Sequence, residues 1–350
     1  MIHVMIMAGG TGTRFWPMSR KKKPKQFLSI IDDDSLLEST LKRVEGISVD
    51  QKVWILGNAR HSQLLQSLSG YVDSSQCLLE PCSRNTAACI TWAAFEALKE
   101  DPDAICVVLS ADAWIDSDLG FCQTLQQAIA AVSDQDALVT VGIPPTRAHT
   151  GYGYLAVQDA HDNQRDLFHV TSFKEKPSLE QAQTYVDHGY YWNAGIFVWR
   201  AKHILDCIQR HLPFHYKTIQ TFTQQHLRDP NQILPYYESL ESISIDHAVL
   251  EHETKDMLLI PAQFNWDDIG NWSSLASYLP QDSSQNAANH EILAFNSHRN
   301  IVLGKHHKKV VLSHVDDLIV VDTDDALLIL PKNKDQTIKD IYDSLEAELQ

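Results

Sequence analysis

Apolar runs and helix-like stretches alternate along the first 280 residues of the chain. The runs are short and nearly continuous in Val, Ile and Leu, which is typical of strands buried on both faces of a mostly parallel sheet. The predicted strands cover residues 2–7, 53–56, 105–109 and 137–141. Residues 85–99 and 120–132 instead space their apolar side chains along one helical face. The alternation predicts an α/β domain, in which ligands bind beyond the carboxyl ends of the strands.

The composition changes after Leu279. Residues 280–290 are rich in Pro, Ser, Asn and Gln, which predicts a linker. Short β-branched runs then recur about every 8–9 residues, and this spacing predicts a compact β appendage built as a few coils of a β-solenoid. These runs cover residues 291–295, 300–303, 309–312, 318–321 and 326–330. Residues 335–349 predict a helix that packs on this appendage rather than on a partner subunit. We therefore predict two domains, over residues 1–280 and 281–350.

Charge and cysteine usage narrow the function classes. The 350-residue chain has a formal net charge of −16, whereas a general nucleic-acid binder is usually basic. Its cysteines include no CxxC pair, so a zinc or thioredoxin-like site has no support. The N-terminal apolar run lacks a charged leader and a cleavage site, and no stretch approaches the ~18 apolar residues of a membrane span. We therefore expect a cytoplasmic protein that binds neither nucleic acid nor membrane, with His306 and His307 as an exposed pair without a ligand role.

A glycine-rich loop, AGGTGTR at residues 8–14, directly follows the first predicted strand. Gly9, Gly10 and Gly12 let the backbone turn tightly, and the consecutive N–H groups of such a loop can bind an anion. The loop fits neither the GxGxxG dinucleotide pattern nor the GxxxxGKS/T phosphate loop. A simple glycine-rich turn and a phosphate-binding loop therefore both stay open.

Positive charge is concentrated just after this loop. Within twelve residues lie Arg14, Arg20, Lys21, Lys22, Lys23 and Lys25. By itself, such a run is more often a solvated surface than a site. Next to a phosphate-binding loop, however, the planar guanidinium of Arg14 and the ammonium of Lys25 are suited to stabilise charge on a triphosphate during phosphoryl-type transfer.

Two aspartates are candidates for a Mg²⁺ site. Asp112 follows a buried predicted strand, where a carboxylate is well placed to hold the ion, although alone it reads more readily as a turn or N-cap residue. Asp268 lies far along the chain in the segment WDDIGNW. Paired carboxylates from distant segments commonly hold Mg²⁺ against substrate phosphates. The sequence thus predicts that Asp112 and Asp268 lie together around a magnesium-bound triphosphate.

The opening run AGGTGTRFWPMSRKKKPKQF resembles the signature of the sugar nucleotidyltransferases, and specifically of the mannose-1-phosphate guanylyltransferases. Further segments agree in the family's order: EPCSRNTA at 80–87, LSAD at 109–112, GYGY at 151–154, FKEKP at 173–177, WNAGIF at 192–197, SID at 244–246, WDDIGNW at 266–272 and DLIVVDT at 317–323. The resemblance implies a Rossmann-like nucleotide-diphospho-sugar transferase domain, α/β with a mostly parallel mixed sheet, followed by a small β-solenoid-like domain. It also implies transfer of GMP from GTP to α-D-mannose 1-phosphate, with Mg²⁺ as the cofactor and pyrophosphate as the second product.

The resemblance implies roles for individual residues. The phosphates of GTP would be bound by Gly9, Gly10, Gly12, Thr13 and Arg14, and its base by Glu80, Pro81 and Asn85. The catalytic residues would be Arg14, Lys25, Asp112 and Asp268, of which the two aspartates would hold the metal. The sugar phosphate would be bound by Gly153, Glu175, Lys176 and Asn193. Asn85 is equally well explained as a helix cap, and for Asp246 we favour a helix cap over a part in sugar binding.

The chain departs from the family at two positions and leaves several points open. Ala113 stands where the family commonly has His, and Ala194 stands where Ser is more usual. Some relatives carry a further phosphomannose isomerase domain, and the end of the chain at residue 350 predicts the form without it. The alternatives are the same chemistry with another sugar phosphate or base, and a non-catalytic protein that only binds nucleotide sugars. A homodimer is also left open.

Overall fold

The computed structural model of the chain describes residues 1–31, 33–162, 167–304 and 308–350, so His306 and His307 lie outside the described residues. The strands are β1 (Ile2–Ala8), β2 (Gln51–Asn58), β3 (Cys77–Glu80), β4 (Ile105–Ser110), β5 (Trp114–Ile115), β6 (Leu138–Ile143), β7 (Gly153–Asp162), β8 (Leu167–Glu175), β9 (Tyr191–Arg200), β10 (Met257–Pro261), β11 (Trp266–Asp267), β12 (Ala287–Ala288), β13 (Ile292–Phe295), β14 (Ile301–Leu303), β15 (Val310–Ser313), β16 (Leu318–Asp322) and β17 (Leu327–Pro331).

The helices are α1 (Leu36–Val44), α2 (Ser62–Gln66), α3 (Asn85–Glu100), α4 (Asp118–Asp134), α5 (Leu179–Asp187), α6 (Ala201–His211), α7 (Pro213–Gln224), α8 (Pro230–Glu238), α9 (Trp272–Leu275) and α10 (Ile338–Ser344). Across the described ranges, none of them combines the length and the hydrophobicity that crossing a membrane requires. The four strands predicted first correspond to β1, β2, β4 and β6, and the two helices predicted with them correspond to α3 and α4.

The chain divides into two compact units, each assembled from segments that are distant in sequence. Unit 1 comprises Met1–Gly9, Thr40–Ala111 and Ile115–Trp266. Unit 2 comprises Gly10–Ser39, Asp112–Trp114 and Asp267–Gln350. The units follow spatial contacts, so the predicted functional division into residues 1–280 and 281–350 stays a prediction.

Unit 1 is built on a mixed sheet in the order β3-β2-β1-β4-β9-β6-β10-β8-β7. Strands β1 to β4 are parallel, with Met5 opposite both Trp54 and Val108. Strand β9 runs antiparallel to its neighbours β4 and β6, whereas β10 pairs parallel with β6. The parallel part explains the continuous apolar runs, because Val4 and Met5 point to opposite faces of the sheet and both are fully buried.

Helices cover this sheet. Helices α3, α6 and α7 contact one another, and their side chains form one buried cluster with alternate residues of β1 and β4. Trp92 of α3 packs edge-to-face on Phe222 of α7, with ring centroids 5.5 Å apart. Helix α4 packs on β4, β6, β9 and β10. The loops that follow β1, β3 and β4 lie at the carboxyl ends of these parallel strands.

The C-terminal part of unit 2 contains stacked parallel coils. Strands β12, β14 and β16 stack in register, with Ala287, Ile301 and Ile319 in one column. Strands β13 and β15 form a second parallel column, and β17 closes the first by pairing antiparallel with β16. Between the coils, the buried side-chain oxygen of Asn286 accepts hydrogen bonds from the backbone and the side chain of Asn300. This ladder satisfies polar groups at the turns, as coiled β structures require.

Two predictions about this region are wrong in detail. Residues 280–290 are not simply a linker, because they contain β12, and Asn286 and Ala287 there are almost fully buried. The helix predicted over residues 335–349 ends at Ser344 and is preceded by a 3₁₀ turn. The Gln350 side chain donates hydrogen bonds to the carbonyls of Tyr342 and Leu345, which satisfies the end of the helix, and residues 347–349 form a turn.

Candidate active site

A buried lysine joins both predicted metal-binding segments within unit 2. The Lys25 ammonium lies 3.0 Å from Oδ2 of Asp112 and 3.1 Å from the Asp112 carbonyl oxygen. It also donates a 2.6 Å hydrogen bond to the carbonyl oxygen of Asp268. Three residues far apart in sequence thus meet at the Lys25 ammonium, Asp268 through its backbone carbonyl. That the two aspartate side chains share a metal ion stays a prediction.

The surroundings of Lys25 hold its charge in place. The residue is only 5% exposed, and an uncompensated buried charge is costly. Its ammonium has three donors, and the three oxygens of Asp112 and Asp268 provide three acceptors. The ring of Phe15 lies beneath it, 5.4 Å from Nζ to the centroid. The positive charge is therefore fixed beside a carboxylate that keeps 36% of its side-chain surface open.

The glycine loop passes directly over the backbone of Lys25. Gly12 has a φ of +60°, and a Cβ added there would lie 2.5 Å from Cβ of Lys25 and 2.8 Å from its backbone nitrogen. Only glycine allows both that conformation and that approach. The loop is held by hydrogen bonds from Ser19 Oγ to the Gly12 carbonyl (2.6 Å) and from Gln26 Nε2 to the Gly10 carbonyl (3.1 Å).

The residues after Gly12 leave the loop through a short 3₁₀ turn. The turn spans Thr13–Phe15, with Gly12 as its N-cap and the Phe15 N–H bonded to the Gly12 carbonyl. Arg14 is exposed on this turn. An exposed guanidinium beside a glycine loop is free to reach an incoming anion.

A strained turn carries Asp268. Ile269 is β-branched and fully buried, yet it has a φ of +42°, a conformation such residues rarely adopt. Its N–H donates a 2.7 Å hydrogen bond to Oδ1 of the buried Asp267, which stabilises the turn. Asp267 was not foreseen from the sequence, although an aspartate that bonds the backbone two residues on is a recognisable turn signal. Such strain is commonly found where a functional side chain is being positioned.

The residues predicted to meet the base belong to unit 1. Glu80 ends β3 and is 5% exposed, Pro81 is half-buried, and Asn85 is exposed at the start of α3. Asn85 has a φ of +61°, and its side-chain oxygen accepts the Thr86 N–H at 2.9 Å. This contact reaches only the next residue, and Arg84 rather than Asn85 is the N-cap residue of α3, so the helix-cap alternative for Asn85 is not supported. A Cβ added to Gly9 would lie 3.4 Å from Oε2 of Glu80, which brings the first loop glycine close to Glu80.

Burial gives Glu80 unusual acid–base properties. Loss of hydration raises the pKa of its carboxyl from 4.5 to about 8, and the nearby hydroxyl of Tyr237 opposes this rise only in part. Tyr237 lies on α8 and was not foreseen from the sequence. Glu80 is consequently protonated at neutral pH, so it can donate as well as accept a hydrogen bond.

The residues predicted to bind the sugar phosphate also lie in unit 1. Gly153 begins β7 opposite Glu175, the last residue of β8, and a Cβ at Gly153 would lie 2.4 Å from Oε2 of Glu175. A larger residue at Gly153 would therefore displace the Glu175 carboxylate from its present position. Lys176 is exposed, has a φ of +46° and pairs with Glu175 at 3.2 Å. A residue before proline normally avoids this region, so this position is strained as well.

Asn193 completes this group through an unexpected partner. Its Nδ2 donates a 2.9 Å hydrogen bond to Oδ1 of Asp246. The favoured prediction for Asp246 was a helix cap, and it is wrong: Ile245 is the N-cap of the π-helical turn Asp246–Leu250, and it makes no side-chain cap bond. The Asp246 carboxylate is instead directed at the sheet.

The predicted residues fall into two groups. Unit 2 contains Gly10, Gly12, Thr13, Arg14, Lys25, Asp112 and Asp268. Unit 1 contains Gly9, Glu80, Pro81, Asn85, Gly153, Glu175, Lys176 and Asn193. Outside the undescribed segments, no set of three or more His, Cys, Asp or Glu side chains is arranged to hold a metal ion. An ion at Asp112 and Asp268 would thus need phosphate or water oxygens to complete its shell, which is how Mg²⁺ is usually bound.

Known proteins resemble this chain along its whole length. A family model described as nucleotidyl transferase matches residues 3–285, and one described as a MannoseP isomerase/GMP-like beta-helix domain matches residues 290–345. The mannose-1-phosphate guanylyltransferase of Salmonella montevideo is 36% identical over 99% of this chain and 74% of its own length. The mannose-1-phosphate guanylyltransferase RfbM of Salmonella typhimurium is 36% identical over 98% of this chain and 72% of its own length.

A solved structure agrees in fold. The crystal structure described as mannose-1-phosphate geranyltransferase from Thermus thermophilus has a TM-score of 0.88 and 28% identity, and it covers 98% of each chain. Together with the two family models, it confirms the predicted combination of an α/β nucleotidyltransferase fold and a C-terminal β-helix-like domain.

Proposed function

Since this chain belongs to the nucleotidyl transferase family, among the mannose-1-phosphate guanylyltransferases, we propose that it transfers GMP from GTP to α-D-mannose 1-phosphate and releases pyrophosphate. The observation that carries the proposal is the meeting of Lys25 with Asp112 and Asp268 beneath the glycine loop. A fixed cation beside carboxylates suits a reaction in which negative charge builds up on a leaving pyrophosphate.

Nucleotidyltransferases of this family typically use a divalent metal ion. We propose Mg²⁺, held by the carboxylates of Asp112 and Asp268. Both side chains are partly exposed, and their oxygens are the ligands that Mg²⁺ prefers. When bound, the ion would neutralise phosphate charge. The Lys25 ammonium contacts one oxygen of the Asp112 carboxylate, so it would keep that carboxylate in a fixed orientation.

The proposed reaction is a direct in-line displacement. A phosphate oxygen of mannose 1-phosphate forms a bond to the α-phosphorus of GTP, and the bond between that phosphorus and the bridging oxygen to the β-phosphorus breaks. The electron pair leaves with pyrophosphate. The nucleophile is already ionised, so no protein group has to remove a proton. The protein's contribution is position and charge: the loop amides and Arg14 bind phosphates, and Lys25 stabilises the transition state.

Base and sugar recognition would use the residues of unit 1. Guanine has N1–H and N2–H₂ donors, and the Glu80–Pro81 segment offers acceptors that select it over adenine, because a buried acceptor left unpaired rejects the wrong base. The sugar phosphate would be bound by Gly153, Glu175, Lys176 and Asn193. We also propose that residues 1–280 form the catalytic domain and that residues 281–350 form an appended β domain. A cytoplasmic location is also proposed, because all six cysteines are free.

The test is a pyrophosphate-release assay on the purified chain. GTP, ATP, UTP and dTTP are each combined with mannose 1-phosphate, glucose 1-phosphate or N-acetylglucosamine 1-phosphate, with Mg²⁺ or with a chelator. We expect release that is fastest with GTP and mannose 1-phosphate and that stops on chelation. Faster release with another pair would reassign the substrates, and no release with any pair, combined with measurable binding of GDP-mannose, would favour a non-catalytic binding protein.

A further inference from the structure

The carboxylate of Asp246 accepts a hydrogen bond from Asn193, a residue of the proposed sugar-binding site. Asn193 uses its side-chain oxygen to accept the Gly195 N–H at 3.2 Å and the Thr140 hydroxyl at 3.2 Å. The Gly195 N–H can only donate, so it identifies the oxygen end of the amide, and Nδ2 therefore faces Asp246. The amide is thus locked at both ends, and one N–H is left to meet a ligand.

The three polar residues of this cluster are reachable, whereas the apolar residues on both sides of Asn193 and before Asp246 are buried. Glu175, Asn193 and Asp246 each keep part of their surface open. Trp192 and Ala194, which flank Asn193, are buried, and so is Ile245 before Asp246. Partly exposed polar side chains among buried apolar residues can accept hydrogen bonds from a ligand that carries hydroxyl groups.

The pKa of the Asp246 carboxyl depends on its burial and on the charged groups around it. Glu175 is the like charge that acts on Asp246, and Glu175 itself pairs with Lys176. His247 is the neighbouring basic group, and it is exposed and bonded to Glu251. Burial first and Glu175 second raise the pKa of Asp246 from 3.8 to about 6. Asp246 is therefore ionised above that pH and neutral below it.

We propose that Asp246 is a positioning residue for the sugar phosphate, and that its ionised carboxylate holds the Asn193 amide in the orientation that binds a sugar hydroxyl. This inference rests on the proposed function and adds a residue to that site. A carboxylate accepts the Nδ2–H of Asn193 more strongly than a neutral acid or amide does, because charge-assisted hydrogen bonds are the stronger ones.

The test compares Asp246→Asn with the wild type, because asparagine mimics the protonated acid. The KM for mannose 1-phosphate is measured at saturating GTP from about pH 5 to about pH 8, a range that spans the titration of the carboxyl. Near pH 8 the KM of the variant should be about ten times that of the wild type. Near pH 5 the two KM values should be about equal, because residue 246 is then uncharged in both proteins. Titration of the substrate itself cancels in the ratio of the two KM values. The KM for GTP should not change.

Controls separate positioning from a general structural effect. Glu251→Gln removes a negative charge from the end of the same helical turn without touching Asn193, and its KM ratio should stay near one. Asp246→Ala removes the acceptor altogether, so its ratio should stay raised at acid pH as well. A ratio for Asp246→Asn that is constant with pH, or a matching rise in the KM for GTP, would overturn the proposal.

A second variant covers the case in which Asp246→Asn does not fold. Asn193→Ala should show the same loss of pH dependence, because Asp246 acts through Asn193; an Asn193→Ala enzyme with the wild-type KM would equally overturn the inference. The proposed function is judged separately, by pyrophosphate release from the wild type. If the wild type prefers another sugar 1-phosphate, the same ratios measured with that substrate decide the role of Asp246.

Discussion

Replacing Gly12 by alanine tests the central geometry of the site. The added methyl group would lie 2.5 Å from Cβ of Lys25 and 2.8 Å from its backbone nitrogen, where no relaxed contact is available. Because one neighbour is backbone, a change of side-chain rotamer cannot relieve the clash. Either the glycine loop or the Lys25 segment has to move.

The expected cost has two parts. Alanine in the left-handed region that Gly12 adopts costs about 1–2 kcal/mol. Overpacking a tight contact adds about 1–3 kcal/mol. The sum is about 2–5 kcal/mol, a large share of the roughly 5–15 kcal/mol by which domains are usually stable. A displaced Lys25 would also lose its 2.6 Å hydrogen bond to the Asp268 carbonyl, so turnover should fall together with stability.

The measurement pairs urea unfolding with pyrophosphate-release kinetics. Gly70→Ala is the matched control, because a methyl group there meets nothing within 4 Å and the residue is exposed. The free energy of unfolding of the control should stay within about 0.5 kcal/mol of the wild type. If Gly12→Ala unfolds at the wild-type urea concentration and keeps the wild-type kcat, the close passage of Gly12 over Lys25 is not real, and the argument built on it fails.

Three further substitutions test separate parts of the site. Asp268→Asn should lower kcat at least about hundredfold with no change in melting temperature; near-normal pyrophosphate release would refute its metal role. Lys25→Ala should lower kcat far more than it raises the KM for GTP, and an unchanged kcat would remove Lys25 from the mechanism. Glu80→Gln tests the raised pKa: the folded wild type retains a proton between about pH 4.5 and 8 that the unfolded chain releases, so its stability falls as pH rises through that window. In urea melts the Gln variant should therefore gain stability over the wild type by the order of a few kcal/mol near pH 8 and match it near pH 5; parallel pH profiles would contradict the buried neutral carboxyl.

Local patterns accounted for much of the fold. The apolar runs located β1, β2, β4 and β6 because a strand buried on both faces has to be apolar at every position. The short recurring runs located the stacked coils of unit 2 for a similar reason, since each coil repeats the same inward-facing positions. Strands β3 and β7 to β10 were not foreseen. Strand β8, for example, buries every third residue, so it shows neither a continuous apolar run nor a strict alternation.

The residues that are chemically suited to the reaction could be named from local motifs: a glycine loop, a cation after it and two aspartates in segments far apart. How these residues are used depends on the packed chain. The tertiary structure brought Lys25 to Asp112 and Asp268, turned Asp246 from a helix end towards Asn193, and buried Glu80 so that its pKa rises. Strand and helix patterns depend on neighbours a few positions away in the sequence. Burial, hydrogen-bond partners and pKa values depend instead on groups that are distant in the sequence and meet only after folding.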